Sequence, residues 1–282
     1  MKNITESMMR IVFLAAACVS IIAVLLICIF LFANGVPAML EIGVGDFLFG
    51  SVWRPLSDIY GIFPMIVGSI YVTAGAVLLG VPIGILCAVF LVHFCPARLY
   101  RVLKPMVELL AGIPSIVYGF FGLVVLVPLM QQLTGSSGKG LLTASILLAI
   151  MILPTVIGVA ESAIRAVPES YYEGALALGA THERSVFFTV VPAARSGIMA
   201  GVVLGVGRAV GETMAVVMIA GNQPVIPESL LSGVRTLTAN IVLEMGYAAD
   251  LHREALIATA VVLFVFILII NLTFSLLKRR GY

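Results

Sequence analysis

The chain has 282 residues, of which 61% are hydrophobic and 11% charged, against about 45–50% and about 25% in soluble domains. That is the composition of a membrane protein. At roughly 20 apolar residues per spanning helix, little chain is left for a soluble catalytic domain, and a net charge of +2 gives no general nucleic-acid-binding surface.

Six apolar spans are expected in chain order, at about 11–33, 65–94, 106–130, 141–160, 196–220 and 255–277. The fold class is therefore an all-α integral membrane protein with six transmembrane helices and one domain, 1–282. Ala15-Ala16-Ala17-Cys18 has the small residues of a lipoprotein cleavage box, but the apolar run continues to Ala33 and reads as an uncleaved anchor. Cys18, Cys28, Cys87 and Cys95 form no C-x-x-C pair and read as small buried hydrophobes.

An even number of spans puts both termini on one side. That side collects eleven basic residues, Lys2, Arg10, Arg98, Arg101, Lys104, Arg165, Arg184, Arg195, Lys278, Arg279 and Arg280. The other side holds four, Arg54, Lys139, Arg235 and Arg253. Positive residues are retained in the cytoplasm, so the termini are expected there, in a multi-pass protein of a bacterial inner membrane. Helix breakers at Gly80-Val81-Pro82, Gly112-Ile113-Pro114 and Pro154 predict interrupted helices, which are tolerated where backbone faces protein or a water-filled path.

The remaining basic residue, Arg208, falls in the middle of the fifth span, where a guanidinium costs roughly 2.5–3.5 kcal/mol on insertion scales. Glu212 lies at the i,i+4 spacing that would let the two neutralise one another. Gly197, Gly201 and Gly205 fall on the same face and predict close approach to a neighbouring helix. A registry lock between helices is one reading of the pair. A path for a small oxyanion is the other, with the planar fork of Arg208 holding the oxygens and Glu212 keeping the hold weak.

The segment 161–195 is a long cytoplasmic loop. Within it, Pro168 suits a helix start, Gly179 a helix end, and Thr181 the cap of a second short helix. Such a helix either docks a partner or lies in the lipid interface. The run Glu173-Gly174-Ala175, then Gly179, then Pro192 resembles the EAA loop of ATP-binding-cassette importer permeases, with matching spacing. Gly174 stands for the second-position Ala of that pattern, and Thr189 and Val191 for its Ile and Leu.

Two longer runs narrow the resemblance. Leu110 to Phe120 (LAGIPSIVYGF) and Gly207 to Val216 (GRAVGETMAV) are similar to the PstC type of phosphate permease, as are Trp53-Arg54-Pro55 and Tyr60 to Pro64. The resemblance spans essentially the whole chain and implies a type I importer permease fold moving inorganic phosphate inward. It implies that Arg208 and Glu212 line the substrate path and that Glu173, Gly174, Ala175 and Gly179 couple to an ATPase. It further implies three partners: a PstA-type second permease, an ATP-binding-cassette ATPase dimer and an extracytoplasmic phosphate-binding protein. Trp53 and Arg54, an aromatic and an arginine in an outer loop, are candidate receptor contacts, although Trp53 equally suits the lipid headgroup belt.

The chain carries no G-x-x-x-x-G-K-[ST], since Gly138-Lys139 is followed by Gly140, so no cofactor is expected here and ATP with Mg belongs to the partner. No H-E-x-x-H is present, and no His or Asp lies at mid-membrane depth to serve Ser69 or Ser115 as a base, which disfavours an intramembrane enzyme. Sulfate or molybdate as cargo, and an ATP-independent transporter, are the remaining alternatives.

Overall fold

The computed structural model describes residues 2–279, so Arg280, counted above toward the terminal side, lies outside the described residues. The chain is helical nearly throughout. Helix α1 (Lys2–Ile42) is followed by the short α2 (Val44–Phe49), a two-stranded hairpin of β1 (Trp53–Arg54) and β2 (Ile59–Tyr60), and α3 (Phe63–Val89). Then come α4 (Ala97–Gly112), α5 (Ser115–Phe121), α6 (Val127–Thr134) and α7 (Leu141–Arg165). The second half holds α8 (Glu169–Ala177), α9 (His182–Ser185), α10 (Val191–Ala193), α11 (Arg195–Gly211), α12 (Met214–Ile219), α13 (Leu237–Glu244) and α14 (Asp250–Arg279).

Among the described residues five helical stretches are long and apolar enough to cross a bilayer, and a sixth is formed if the pair 182–193 and 195–211, bent by 69°, is taken as one span. Three expectations shift. The first helix has 41 residues, about 60 Å at 1.5 Å per residue, so it overruns the expected 11–33 at both ends. The third span begins only at Ser115, because the preceding α4 is a separate amphipathic helix with exposed Arg98 and Arg101 and no buried residue. The fifth does not reach 220 as one helix but stops at Gly211.

The expected interruptions also move. Pro82 and Pro154 sit inside continuous helices, because the packed neighbours of α3 and α7 hold the backbone in place where the ring removes a hydrogen bond. Gly112-Ile113-Pro114 does break the chain, between α4 and α5. Elsewhere the irregularity takes the form of π turns at Phe90–Phe94, Gly122–Leu126 and Val186–Val190, each inserting one residue's worth of extra winding.

Helix α7 is the central post, with α3 and α11 on either side. The expected glycine stripe of α11 meets it: a Cβ on Gly197 would lie 2.4 Å from Ala163 Cβ, on Gly201 3.1 Å from Val159 Cβ, and on Gly205 2.9 Å from Val156 Cγ2. From the other side α3 presents Gly80 and Gly84, whose Cβ atoms would come within 2.9 Å of the Ala149 carbonyl and 2.8 Å of Val156 Cγ1. Between apolar helices in lipid, close contact of this kind supplies the attraction that the hydrophobic effect does not. Helix α1 is different, since residues 8–27 are all exposed and it joins the bundle only in its last third, where Phe32 packs edge-on to Phe264, Gly35 meets Val261 of α14, and Met39 and Ile42 reach the core around Leu256.

Overfilling this seam tests it. Gly84→Leu should lower the stability of the detergent-solubilised protein by about 1–3 kcal/mol, the usual cost of added methylenes in a packed core. Gly158→Leu is the control, because nothing lies within 4 Å of that position. Thermal unfolding followed by size-exclusion chromatography separates the two.

Candidate functional site

Arg208 occupies the last turn of α11 and is partly exposed. Its Nη1 donates to Thr155 Oγ1 at 3.2 Å, on the face of α7 just after Pro154. The expected Arg208–Glu212 ion pair is not formed: among the described residues no carboxylate lies within 4 Å of Arg208. An i,i+4 pair needs a continuous helix, and the chain leaves the helix at Glu212, which is extended (φ −69°, ψ 129°).

Glu212 has another task. Its Oε1 accepts from the backbone N–H of Thr213 (3.1 Å) and of Ala215 (3.2 Å), two donors at the start of α12 that have no helical partner. The Thr238 hydroxyl donates to the Glu212 carbonyl at 3.1 Å, and the Thr213 hydroxyl to the Gly211 carbonyl at 3.2 Å. The carboxylate therefore holds open a break in the polypeptide, one turn beyond the guanidinium.

That break packs against the other one. A Cβ on Gly119 of α5 would lie 2.9 Å from Ala215 Cα and 2.7 Å from the Met218 sulfur of α12. Buried Tyr118 joins the same core, with Ile152, Ala209 and Ala215, and donates its hydroxyl to the Leu110 carbonyl at 2.8 Å. The segments 110–120 and 207–216, far apart in sequence, are thus neighbours. The arrangement puts one guanidinium and the Thr155 hydroxyl beside two helix breaks, which offers donors to an anion.

At one end of the bundle, α8 carries Glu173, Gly174 and Ala175. None of its residues is buried, and Leu178 just beyond it is 91% exposed. Gly179 has φ 87° and closes the helix, its N–H donating to the Leu176 carbonyl at 2.8 Å, as expected for a glycine stop. Pro168 sits at the cap position, and Thr181 caps α9 by accepting from the Arg184 N–H. One turn before α7 ends at Arg165, Glu161 is only 3% exposed and receives the Tyr100 hydroxyl (2.7 Å), Lys104 Nζ (2.8 Å) and Arg165 Nε (3.1 Å). This carboxylate ties α4 to α7, and its hydrogen bond holds the Lys104 ammonium above the ordinary lysine range.

At the other end the expectation for Trp53 changes. It is neither a surface anchor nor a headgroup residue but 6% exposed, with Nε1 donating to Glu244 Oε2 at 2.9 Å. Glu244, itself 6% exposed, also receives Arg235 Nη1 on Oε1 and is joined by His252 Nε2 at 2.9 Å. Rings of Trp53, Tyr60 and Tyr247 surround His252. Burial and Asp58, which accepts its hydroxyl, push Tyr60 up to about 12. Arg54, next along the hairpin, is exposed. Neither Glu161 nor Glu244 was singled out from the sequence, because Tyr100 and Lys104 lie 61 and 57 positions from Glu161 and Trp53 lies 191 from Glu244, and only folding assembles them.

An apolar helix bundle with an exposed helical loop, and a guanidinium without a carboxylate among the described residues beside two helix breaks, fits a membrane permease. Residues 80–280 match the family model described as "Binding-protein-dependent transport system inner membrane component", and the chain belongs to that family. It is 40% identical over 281 residues to a probable ABC transporter permease protein, YqgH, of Bacillus subtilis, covering 96% of this chain and 91% of that protein. It is 37% identical over 277 residues to the phosphate transport system permease protein PstC of Mesorhizobium japonicum, covering 91% of this chain and 83% of that one. In fold it is similar to an inward-facing methionine ABC transporter, MetNI (TM-score 0.62, 21% identity, 82% of this chain and 100% of that chain). It is likewise similar to a bacterial ABC transporter that imports alginate (TM-score 0.60, 14% identity, 99% of each chain).

Two measurements follow. Glu212→Ala should cost about 1 kcal/mol of stability, the typical worth of a helix cap, while Glu212→Gln retains an acceptor oxygen and most of that stability; chemical denaturation of the two variants distinguishes a cap from a charge partner. Glu244→Ala should leave Arg235 and the Trp53 N–H without their buried acceptor, cost about 3–5 kcal/mol, and shift the emission of Trp53, the chain's one tryptophan.

Proposed function

We propose that this permease is the PstC-type half of an ATP-driven importer that carries inorganic phosphate into the cytoplasm of a bacterium through its inner membrane. The observation that carries the reading is Arg208, a guanidinium with a hydroxyl neighbour and, among the described residues, no carboxylate within ion-pair distance. Its rigid fork matches the oxygens of a tetrahedral anion. Phosphate, rather than sulfate or molybdate, is supported by the relatives named as phosphate permeases, at 37% and 32% identity over 91% and 93% of this chain.

In this reading Arg208 draws the anion in, and Thr155 holds the guanidinium in place between arrivals. Glu212 maintains the helix break beside it, so that its part in the path is to position backbone rather than to neutralise Arg208. A single cation with no fixed partner binds loosely enough to release its cargo, which conduction requires. The basic side of the bundle, with both termini and α8, faces the cytoplasm. There α8, through Glu173, Gly174, Ala175 and Gly179, couples to an ATP-binding-cassette ATPase dimer that supplies ATP and Mg, and this chain needs no cofactor of its own. A PstA-type permease completes the pair in the lipid bilayer, and no nucleic acid is involved. A phosphate-binding protein delivers cargo from outside, with exposed Arg54 as its contact and buried Trp53 bracing the hairpin from within.

Arg208→Gln should insert and assemble yet lose at least ten-fold in uptake of labelled phosphate by cells carrying the complete complex; normal uptake would refute the reading. A cysteine replacing Ala175 should crosslink to the ATPase subunit rather than to lipid.

A further inference from the structure

Where α8 leaves the bundle, a cavity of about 590 Å³ opens between the ends of α3, α7 and α9, lined among others by His93, Arg165, Pro168, Glu169, Tyr172 and His182. Its volume falls in the range of small-molecule sites, about 300–1,000 Å³. Three of its polar side chains have donors to spare. Arg165 spends Nε on Glu161 and stacks on Tyr100, while its terminal nitrogens meet no protein acceptor among the described residues. His182 Nδ1 is 2.7 Å from the Tyr172 hydroxyl; with that hydroxyl donating, the imidazole proton sits on Nε2, which has no acceptor. His93 Nε2, shielded from solvent, also has no partner among the described residues. Its ring lies 6.0 Å from that of Tyr172 and 6.4 Å from that of His182.

We propose that this cavity is a second anion site, taking a phosphate-type group between Arg165, His182 and His93, separate from the path at Arg208. A guanidinium and imidazole N–H groups make charge-assisted hydrogen bonds to phosphate oxygens, and Pro168 and Glu169, at the start of α8, line the same cavity. The one carboxylate in the lining, Glu169, is exposed and free to turn to solvent. A metal is the poorer occupant, since among the described residues no three His, Cys, Asp or Glu side chains converge. A bound anion would bridge α3, α7 and α9 at the root of α8, and so stiffen the element that contacts the ATPase; this consequence, unlike the binding itself, rests on the coupling role proposed for α8. The shared chemistry serves two sources, free orthophosphate and the headgroup of an anionic phospholipid.

The test uses the complete importer, permease pair with ATPase, in phosphatidylcholine nanodiscs without receptor or nucleotide, and carries Arg208→Gln to empty the membrane path. Labelled orthophosphate should still bind, and adding His182→Gln together with Arg165→Lys should weaken that binding at least ten-fold while the complex stays assembled. If orthophosphate does not bind but phosphatidic acid added to the discs is retained, and the same pair of substitutions releases it, the site stands with a lipid as its source. Binding of either probe that is indifferent to these substitutions, or no binding of either, overturns the proposal. Uptake surviving in Arg208→Gln alone would overturn the transport reading without touching this site.

Discussion

Val156 stands between two glycines, Gly84 of α3 and Gly205 of α11, each near enough that a methyl group would collide with it. The bundle is organised around this contact. Lipid tails are as apolar as valine, so burying Val156 gains nothing from leaving lipid; the attraction comes from backbones brought within van der Waals reach. Because α7 is gripped from both sides, everything it carries is held in a definite place. Thr155, the next residue back, is thereby aimed at Arg208, and Glu161, five residues on, at α4.

The ionisable groups divide the molecule into three levels. Each end has a nearly buried carboxylate with several donors, Glu161 at the loop end and Glu244 at the hairpin end. Buried networks of this type specify geometry rather than add much stability. The level between them is built on the opposite plan, with no carboxylate on Arg208 among the described residues. On the proposed reading, the two end networks carry the structure and leave the Arg208 guanidinium to exchange partners.

The sequence alone determined the class of protein, the existence of the apolar helices, the glycine face of α11, the glycine stop and threonine cap around α8, and the presence of a lone basic residue at 208 within an apolar stretch, together with the resemblance to phosphate permeases. These rest on local physics: hydropathy over some 20 residues, the 3.6-residue period, and the conformations open to Gly, Thr and Pro. Tertiary structure alone decided that α3 and α7 run straight through their prolines while α11 stops at Glu212, and that Glu212 serves backbone N–H groups instead of Arg208. It also turned Trp53 inward onto Glu244. In each case the outcome depends on which donors and acceptors distant segments bring into reach, and for a polar group buried away from water those partners, not its neighbours in the chain, fix where it points.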